Sequence, residues 1–143
     1  MSETITLRHL GPDDLDLLLA PEIEMFDGPV RADQAQAFLD DPLHEIVLAY
    51  AGDAPVGFAS GVVMFHPDKR PAFFINEVGV NESHQRQGIA TQLMQQIIDI
   101  ARTRGCHGIW LGTEADNAPA IGLYRSLKAE ELSGVYFGWD DAL

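Results

Sequence analysis

Ile89, Leu93, Ile97 and Ala101 recur every fourth position, and Met94 and Ile98 widen that row into a stripe. This period belongs to an α-helix with one broad apolar face, which must be covered by a sheet or a second helix. Arg102 and Arg104 fall in its last turn, where cations complement the helix dipole, and Gly105 stands just beyond as a terminator. A turn, Gln85-Arg86-Gln87-Gly88-Ile89-Ala90, opens the helix, and strand-like runs flank it at residues 72–80 and 108–114. With 143 residues there is room for one sheet and one core, so a single domain over residues 1–143 is expected.

The rest of the chain fits around that unit. Ile5 and Leu7 alternate with polar neighbours in a strand at residues 4–9. Gly11-Pro12-Asp13-Asp14 opens a helix with Leu15, Leu18 and Leu19 on its apolar face, and Pro21 ends it. A second helix is predicted over residues 31–40, with Ala35, Phe38 and Leu39 inward. Residues 45–51 and 55–65 form a hairpin turned at Gly52-Asp53-Ala54. Asn117 caps a helix with Pro119 in its first turn, running to Leu127. Two closing strands are predicted at residues 129–132 and 135–140, with Phe137 and Trp139 packed on the sheet. The order β-α-α-β-β-β-α-β-α-β-β implies an α/β (α+β) fold with a mixed, mostly antiparallel sheet flanked by helices.

Composition narrows the partners. Twenty-two acids against nine bases leave a formal charge of −13, which repels nucleic acid and favours a cationic small molecule or peptide. Acidity also confers solubility without any partner. Cys106 is the single cysteine, so no internal disulfide can form. The opening MSETITLRHL lacks a leader pattern and no apolar run reaches a membrane-spanning length, so a cytoplasmic protein off the membrane is expected. His9, His44, His66, His84 and His107 are scattered without metal-ligand spacing, and no metal is expected.

The chemistry gathers at the turn before the long helix. Gly88 and Ala90 carry no bulky side chain, so backbone there can approach a ligand closely. The helix start adds unpaired N–H groups and the positive end of a dipole, a combination suited to a pyrophosphate, and Arg86 can add a charged contact. The pattern is neither the dinucleotide fingerprint, which needs a third glycine, nor a P-loop. Taken alone it fits a glycine turn before a surface helix equally well.

Asn76-Glu77-Val78-Gly79-Val80, the Gln85–Ala90 turn and its helix, then Asn117 and Tyr124, together resemble the GNAT superfamily of N-acetyltransferases. The resemblance implies a fold in which strands splay apart and the pantetheine arm of acetyl-CoA lies along Val78, Gly79 and Val80. The diphosphate would meet Gln85, Arg86, Gln87, Gly88, Ile89, Ala90 and Thr91, chiefly through backbone N–H groups. Asn117 and Ala120 would complete the cofactor site. Gln85 stands where many relatives carry arginine. Tyr124 is the matched proton donor to the departing thiolate, although with Ala120 and Leu127 it also forms a stripe that could be core. Glu77 is the candidate base and Glu114 its competitor, and either could instead bind an ammonium.

Glu82 to Thr91, the segment from Asp116 to Tyr124 and the close Tyr136-Phe137-Gly138-Trp139-Asp140 are most similar to aminoglycoside 3-N-acetyltransferases. Relatives carry aspartate where this chain has Glu77 and an acid where it has Gly138. The resemblance implies acetylation of an aminoglycoside at the 3-N position, with Asp27, Glu77, Glu114, Asp116 and Asp140 around the cationic acceptor. A polyamine, amino acid or peptide amine is the alternative acceptor, and a non-catalytic acyl-CoA sensor the alternative class. The resemblance leaves a homodimer open.

Overall fold

The computed structural model describes residues 3–140, so Met1 and Ser2 of the N-terminal segment lie outside the described residues. These fall into two compact units that divide after Gly112.

The first unit is built on a five-stranded sheet in the order β1-β2-β3-β4-β5: β1 (Ile5–His9), β2 (His44–Ala51), β3 (Ala54–Met64), β4 (Ala72–Val80) and β5 (Gly108–Trp110). β1 to β4 are antiparallel, and β5 lies parallel to β4. Between β1 and β2 come α1 (Leu15–Leu18) and α2 (Ala32–Asp40), and α3 (Ile89–Thr103) joins β4 to β5.

The sheet is buried on both faces, which is why its central strands read as nearly continuous apolar runs. On one face Ile46, Leu48 and Phe58 pack against Leu18 of α1 and Leu39 of α2. On the other, a Cβ placed on Gly57 would meet the Leu93 side chain at 3.2 Å, which fixes the face that α3 covers. The predicted stripe on α3 is slightly rotated. Ile89, Leu93, Met94, Ile97, Ile100 and Ala101 are buried, whereas Ile98 is only half-buried. Ile100 lies eleven residues, about three turns, after Ile89, so the true period of 3.6 brings it under the helix and carries Ile98 aside. Leu19 was expected inward but is exposed, because α1 closes after a single turn.

The Glu45 carboxylate, almost buried in β2, receives both His9 from β1 and Arg104 from the end of α3. This ties three elements at one corner of the sheet. Beside it, Cys106 is buried; burial pushes its thiol above the ordinary range, and Arg104 draws it part of the way back.

Two expectations about strands fail. β5 stops at Trp110, so Glu114 lies beyond the strand rather than at its end. In the second unit, residues 129–140 form no strand, and Phe137 and Trp139, expected on the sheet, are exposed. A strand needs a neighbour to take its N–H and C=O groups, and Gly134 and Gly138 weaken the intrinsic preference of this stretch. What the second unit does form is α4 (Ala118–Ser126), capped as expected by Asn117, whose Oδ1 accepts from the Ala120 N–H at 3.2 Å.

Candidate active site

β5 matches β4 over only three pairs, Ala72 with Gly108, Phe73 with Ile109 and Phe74 with Trp110. From Ile75 to Val80, β4 keeps β3 on one side and has no β5 residue on the other. The strands part there, leaving one edge of β4 open.

The polarity of that edge follows from alternation. The Asn81 N–H donates to the Val56 carbonyl at 2.8 Å, and the Gly79 carbonyl also faces β3. Neighbouring residues in a strand direct their backbone groups to opposite sides, so those of Val78 and Val80 point to the open edge. The Gln85 side chain confirms the direction by donating to the Val80 carbonyl at 3.2 Å.

A register shift at residues 60–61 sets what each face carries. Ser60 pairs with Glu77 and Gly61 with Ile75, which leaves Asn76 as the extra residue of a bulge. Glu77 therefore shares a face with Ser60 and Gly79, the face of α1 and α2, and is exposed. A Cβ on Gly79 would meet the Met25 carbonyl at 3.3 Å, so the segment after α1 lies against this part of β4. Beside it opens a pocket of about 650 Å³ lined by Glu24, Met25, Val80, Asn81, Glu82 and Ser83. The acidic lining by Glu24 and Glu82 was missed in the sequence, where neither stands in a periodic element; Asp27 was chosen instead and is exposed in the loop before α2.

The turn into α3 has an unusual backbone. Arg86 (φ 64°) and Gly88 (φ 79°) are both left-handed, and Gly88 is the residue before the helix. The first helical bond runs from the Gln92 N–H to the Gly88 carbonyl at 3.1 Å, and no side chain caps the helix. The N–H groups of Ile89, Ala90 and Thr91 thus have no partner within the helix. Ile89 buries its side chain, so only its backbone can serve a ligand, while Arg86 and Gln87 are exposed. Open polar backbone along β4, leading to an uncapped helix start, fits a pantetheine arm followed by a diphosphate. Position 88 has open space around a built Cβ, so substitution there acts through the backbone and the approach to the helix. Gly88→Val is expected to destabilise the chain by roughly 1–2 kcal/mol in urea titration, the cost of holding a residue with a side chain in the left-handed region.

The other expected site residues belong to the second unit. Asn117 caps α4 and also donates to the Thr113 hydroxyl at 3.2 Å, between the exposed acids Glu114 and Asp116. Ala120, Tyr124 and Leu127 are half-buried along one row of α4, and burial pushes the Tyr124 phenol above its ordinary range. Asp140 is exposed at the end of the described chain.

A sequence model of the acetyltransferase (GNAT) family matches residues 14–128. The chain belongs to that family. Over 133 residues it is 27% identical to the N-alpha-acetyltransferase RimI of Mycobacterium tuberculosis, covering 92% of this chain and 82% of the relative. Several other curated relatives are spanned over only 36–51% of their own length. Among solved structures, an aminoglycoside acetyltransferase from an uncultured soil metagenomic sample, in complex with trehalose, superposes with a TM-score of 0.83 at 21% identity, covering 95% of each chain. The aminoglycoside N-acetyltransferase AAC(6′)-Iy in complex with CoA gives 0.78 at 19% identity, covering 99% of this chain and 98% of the other. The fold is the GNAT fold, a mixed sheet with helices on its faces.

Proposed function

We propose that this chain transfers the acetyl group of acetyl-CoA directly to an amine of a cationic small molecule, with an aminoglycoside as the acceptor. The observation that carries the reading is the open edge of β4 at Val78 and Val80, running into the uncapped start of α3 at Gly88.

An alkylammonium must lose a proton before it can attack a thioester. Glu77 is the proposed acceptor of that proton, since it is exposed on β4 next to Val78. The Val78 N–H, directed to the open edge, would stabilise the developing oxyanion. Tyr124 would return a proton to the departing thiolate, and its raised pKa keeps the phenol loaded at neutral pH. Cys106 is buried with a raised pKa and has no part in this scheme, which needs no acyl-enzyme. The competing base is Glu114. For the acceptor, Glu24 and Glu82 in the pocket beside Val80 join Asp27, Asp116 and Asp140 as proposed ammonium contacts.

Glu77→Gln is expected to lower the rate most strongly at neutral pH, where the amine depends on a base. A rise in the acceptor KM alone would make Glu77 a binding carboxylate.

The likeness to two aminoglycoside acetyltransferase structures supports the acceptor class. The 3-N position implied by the sequence resemblance stands against the 6′ designation of one of them, and mapping the acetylated nitrogen decides between the two. A second reading, acetylation of a peptide N-terminus, is favoured by the relative RimI, which the chain matches over most of its length. The test is acetyl-CoA-dependent thiol release with gentamicin, sisomicin, kanamycin, spermidine and a short peptide. Release with the aminoglycosides alone supports the proposal, release with the peptide alone moves it to the second reading, and retained CoA binding without release points to a sensor.

A further inference from the structure

The turn between β4 and α3 is held in a strained shape. Arg86 is left-handed at φ 64°, a conformation that a residue with a side chain keeps only where its surroundings impose it. β4 leads to it through one 3-10 turn, Glu82–His84, which has no side-chain cap, and α3 has none either. The backbone ties the start of this segment to β3, where the Asn81 N–H donates to the Val56 carbonyl at 2.8 Å.

The side chains add a more distant attachment. Gln85 reaches back only to the Val80 carbonyl, and the Ser83 hydroxyl meets the neighbouring His84 Nδ1 at 2.8 Å. His84 Nε2, in contrast, lies 2.9 Å from Oε2 of Glu3, 81 residues away in the sequence. Among the described residues, this is the only side-chain hydrogen bond from residues 82–91 to a part of the chain outside residues 80–91. We propose that Glu3 and His84 are positioning residues for the cofactor: their bond ties the phosphate turn to the root of β1 and keeps it ready to receive CoA. The proposal rests on the acetyl-CoA reading given above. Neither residue belongs to the Gln85–Ala90 motif.

Both ends of the tether are fixed. A carboxylate can only accept, so Nε2 is the donor, and in the neutral ring Nδ1 accepts from the Ser83 hydroxyl. With both nitrogens engaged, the imidazole cannot turn without losing a bond. The His84 side chain is only 21% exposed. Glu3 is placed by the residues that follow it: the Gly52 N–H donates to the Thr4 carbonyl at 3.5 Å, and Ile5 pairs with Ala51. The tether thus runs from the end of the β1–β2 ladder to the residue before Gln85.

Glu3 is 59% exposed, so the pair adds little to the stability of the whole chain. Exposed pairs are worth at most about fivefold in an equilibrium constant. At the turn that is enough to matter. A ligand that binds only the strained form is weakened by the fraction of chains that have relaxed out of it. Charge acts in the opposite sense. CoA is an anion through its phosphates, and an acid near its turn repels it. Removing Glu3 would therefore tighten CoA if charge alone counted, and loosen it if Glu3 positions the turn.

The test is isothermal titration of the full chain with CoA. We expect Glu3→Ala and His84→Phe each to bind CoA three- to fivefold more weakly, and the double variant no more weakly than either alone. Glu3→Gln keeps an oxygen for the Nε2–H bond and should stay within about twofold of the parent. Melting temperatures should stay within about 2 °C, and amide exchange at residues 85–91 should quicken in Glu3→Ala without CoA present. Equal or tighter binding in Glu3→Ala overturns the proposal and leaves the acetyl-CoA reading intact. Effects that add in the double variant, or a Glu3→Gln chain as weak as Glu3→Ala, also overturn it. A parent chain that does not bind CoA removes the acetyl-CoA reading and the proposal with it. Should His84→Phe fail to fold by circular dichroism, the comparison of Glu3→Ala with Glu3→Gln decides alone.

Discussion

Gly61→Ala is expected to destabilise the chain by roughly 3 kcal/mol, near the upper end for overpacking a core, and to lower the melting temperature by about 10 °C. A Cβ at this position would lie 2.3 Å and 2.5 Å from two ring atoms of Phe73 and 2.7 Å from the Phe74 carbonyl oxygen. Phe73 is fully buried and cannot swing away, and the third atom is backbone. The added methyl can be accommodated only by moving β3 and β4 apart. Because Gly61 is next to the register shift that sets off Asn76, the same movement displaces the open edge at Val78 and Val80. CoA affinity should therefore fall along with stability. Gly28→Ala is the control, since nothing lies within 4 Å of its built Cβ, and it should melt like the parent. Urea titrations of both variants check the difference. A Gly61→Ala chain as stable as the parent would mean that β3 and β4 yield far more easily than a packed interior should.

Tyr124→Phe is expected to lower kcat about 100-fold, the lower range for loss of a general acid, while the KM for acetyl-CoA changes less than threefold. The substitution keeps the half-buried ring and removes only the hydroxyl. If Tyr124 were merely part of the α4 stripe, phenylalanine would pack in its place and both constants would stay put. The pH profile separates the roles further. Burial raises the phenol pKa, which favours the protonated form, so the acid is fully loaded at neutral pH and lost only as pH climbs through the raised value. The parent should hold its rate past pH 10, the ordinary phenol range, and then decline. The residual rate of Tyr124→Phe should show no such alkaline limb.

Much of this was legible in the sequence because it is written locally. The α3 stripe, the Gly52-Asp53 hairpin and the Asn117 cap each depend on a few neighbouring residues, and each element forms where its signal stands. The strands that failed depend on partners. Val135, Phe137 and Trp139 have strand alternation, but alternation names a face and supplies no neighbour, and residues 129–140 form no strand. The early stop of β5 was hidden for the same reason: Leu111 extends the apolar run of Ile109 and Trp110, yet β4 pairs nothing beyond Trp110. The bulge at Asn76 lies where Ser60 pairs with Glu77 and Gly61 with Ile75, a match between two strands that no periodicity reveals. At the site, the Gln85–Ala90 turn was visible from its small residues, whereas the left-handed backbone at Arg86 was not, since arginine carries no preference for it. Glu24 and Glu82 were overlooked because the pocket they line is made by two irregular segments meeting.

Cys106 sits beneath the end of α3 as the single thiol of the chain, out of solvent and held in its unreactive form. A disulfide dye added to the folded protein should thus report released CoA against almost no background from the protein itself, and acceptor screens can be read without correction. The same dye turns into a clock for unfolding. Heated or placed in urea, the chain should yield one equivalent of thiol as its core opens, so a single reagent can follow both turnover and the loss of the fold that supports it.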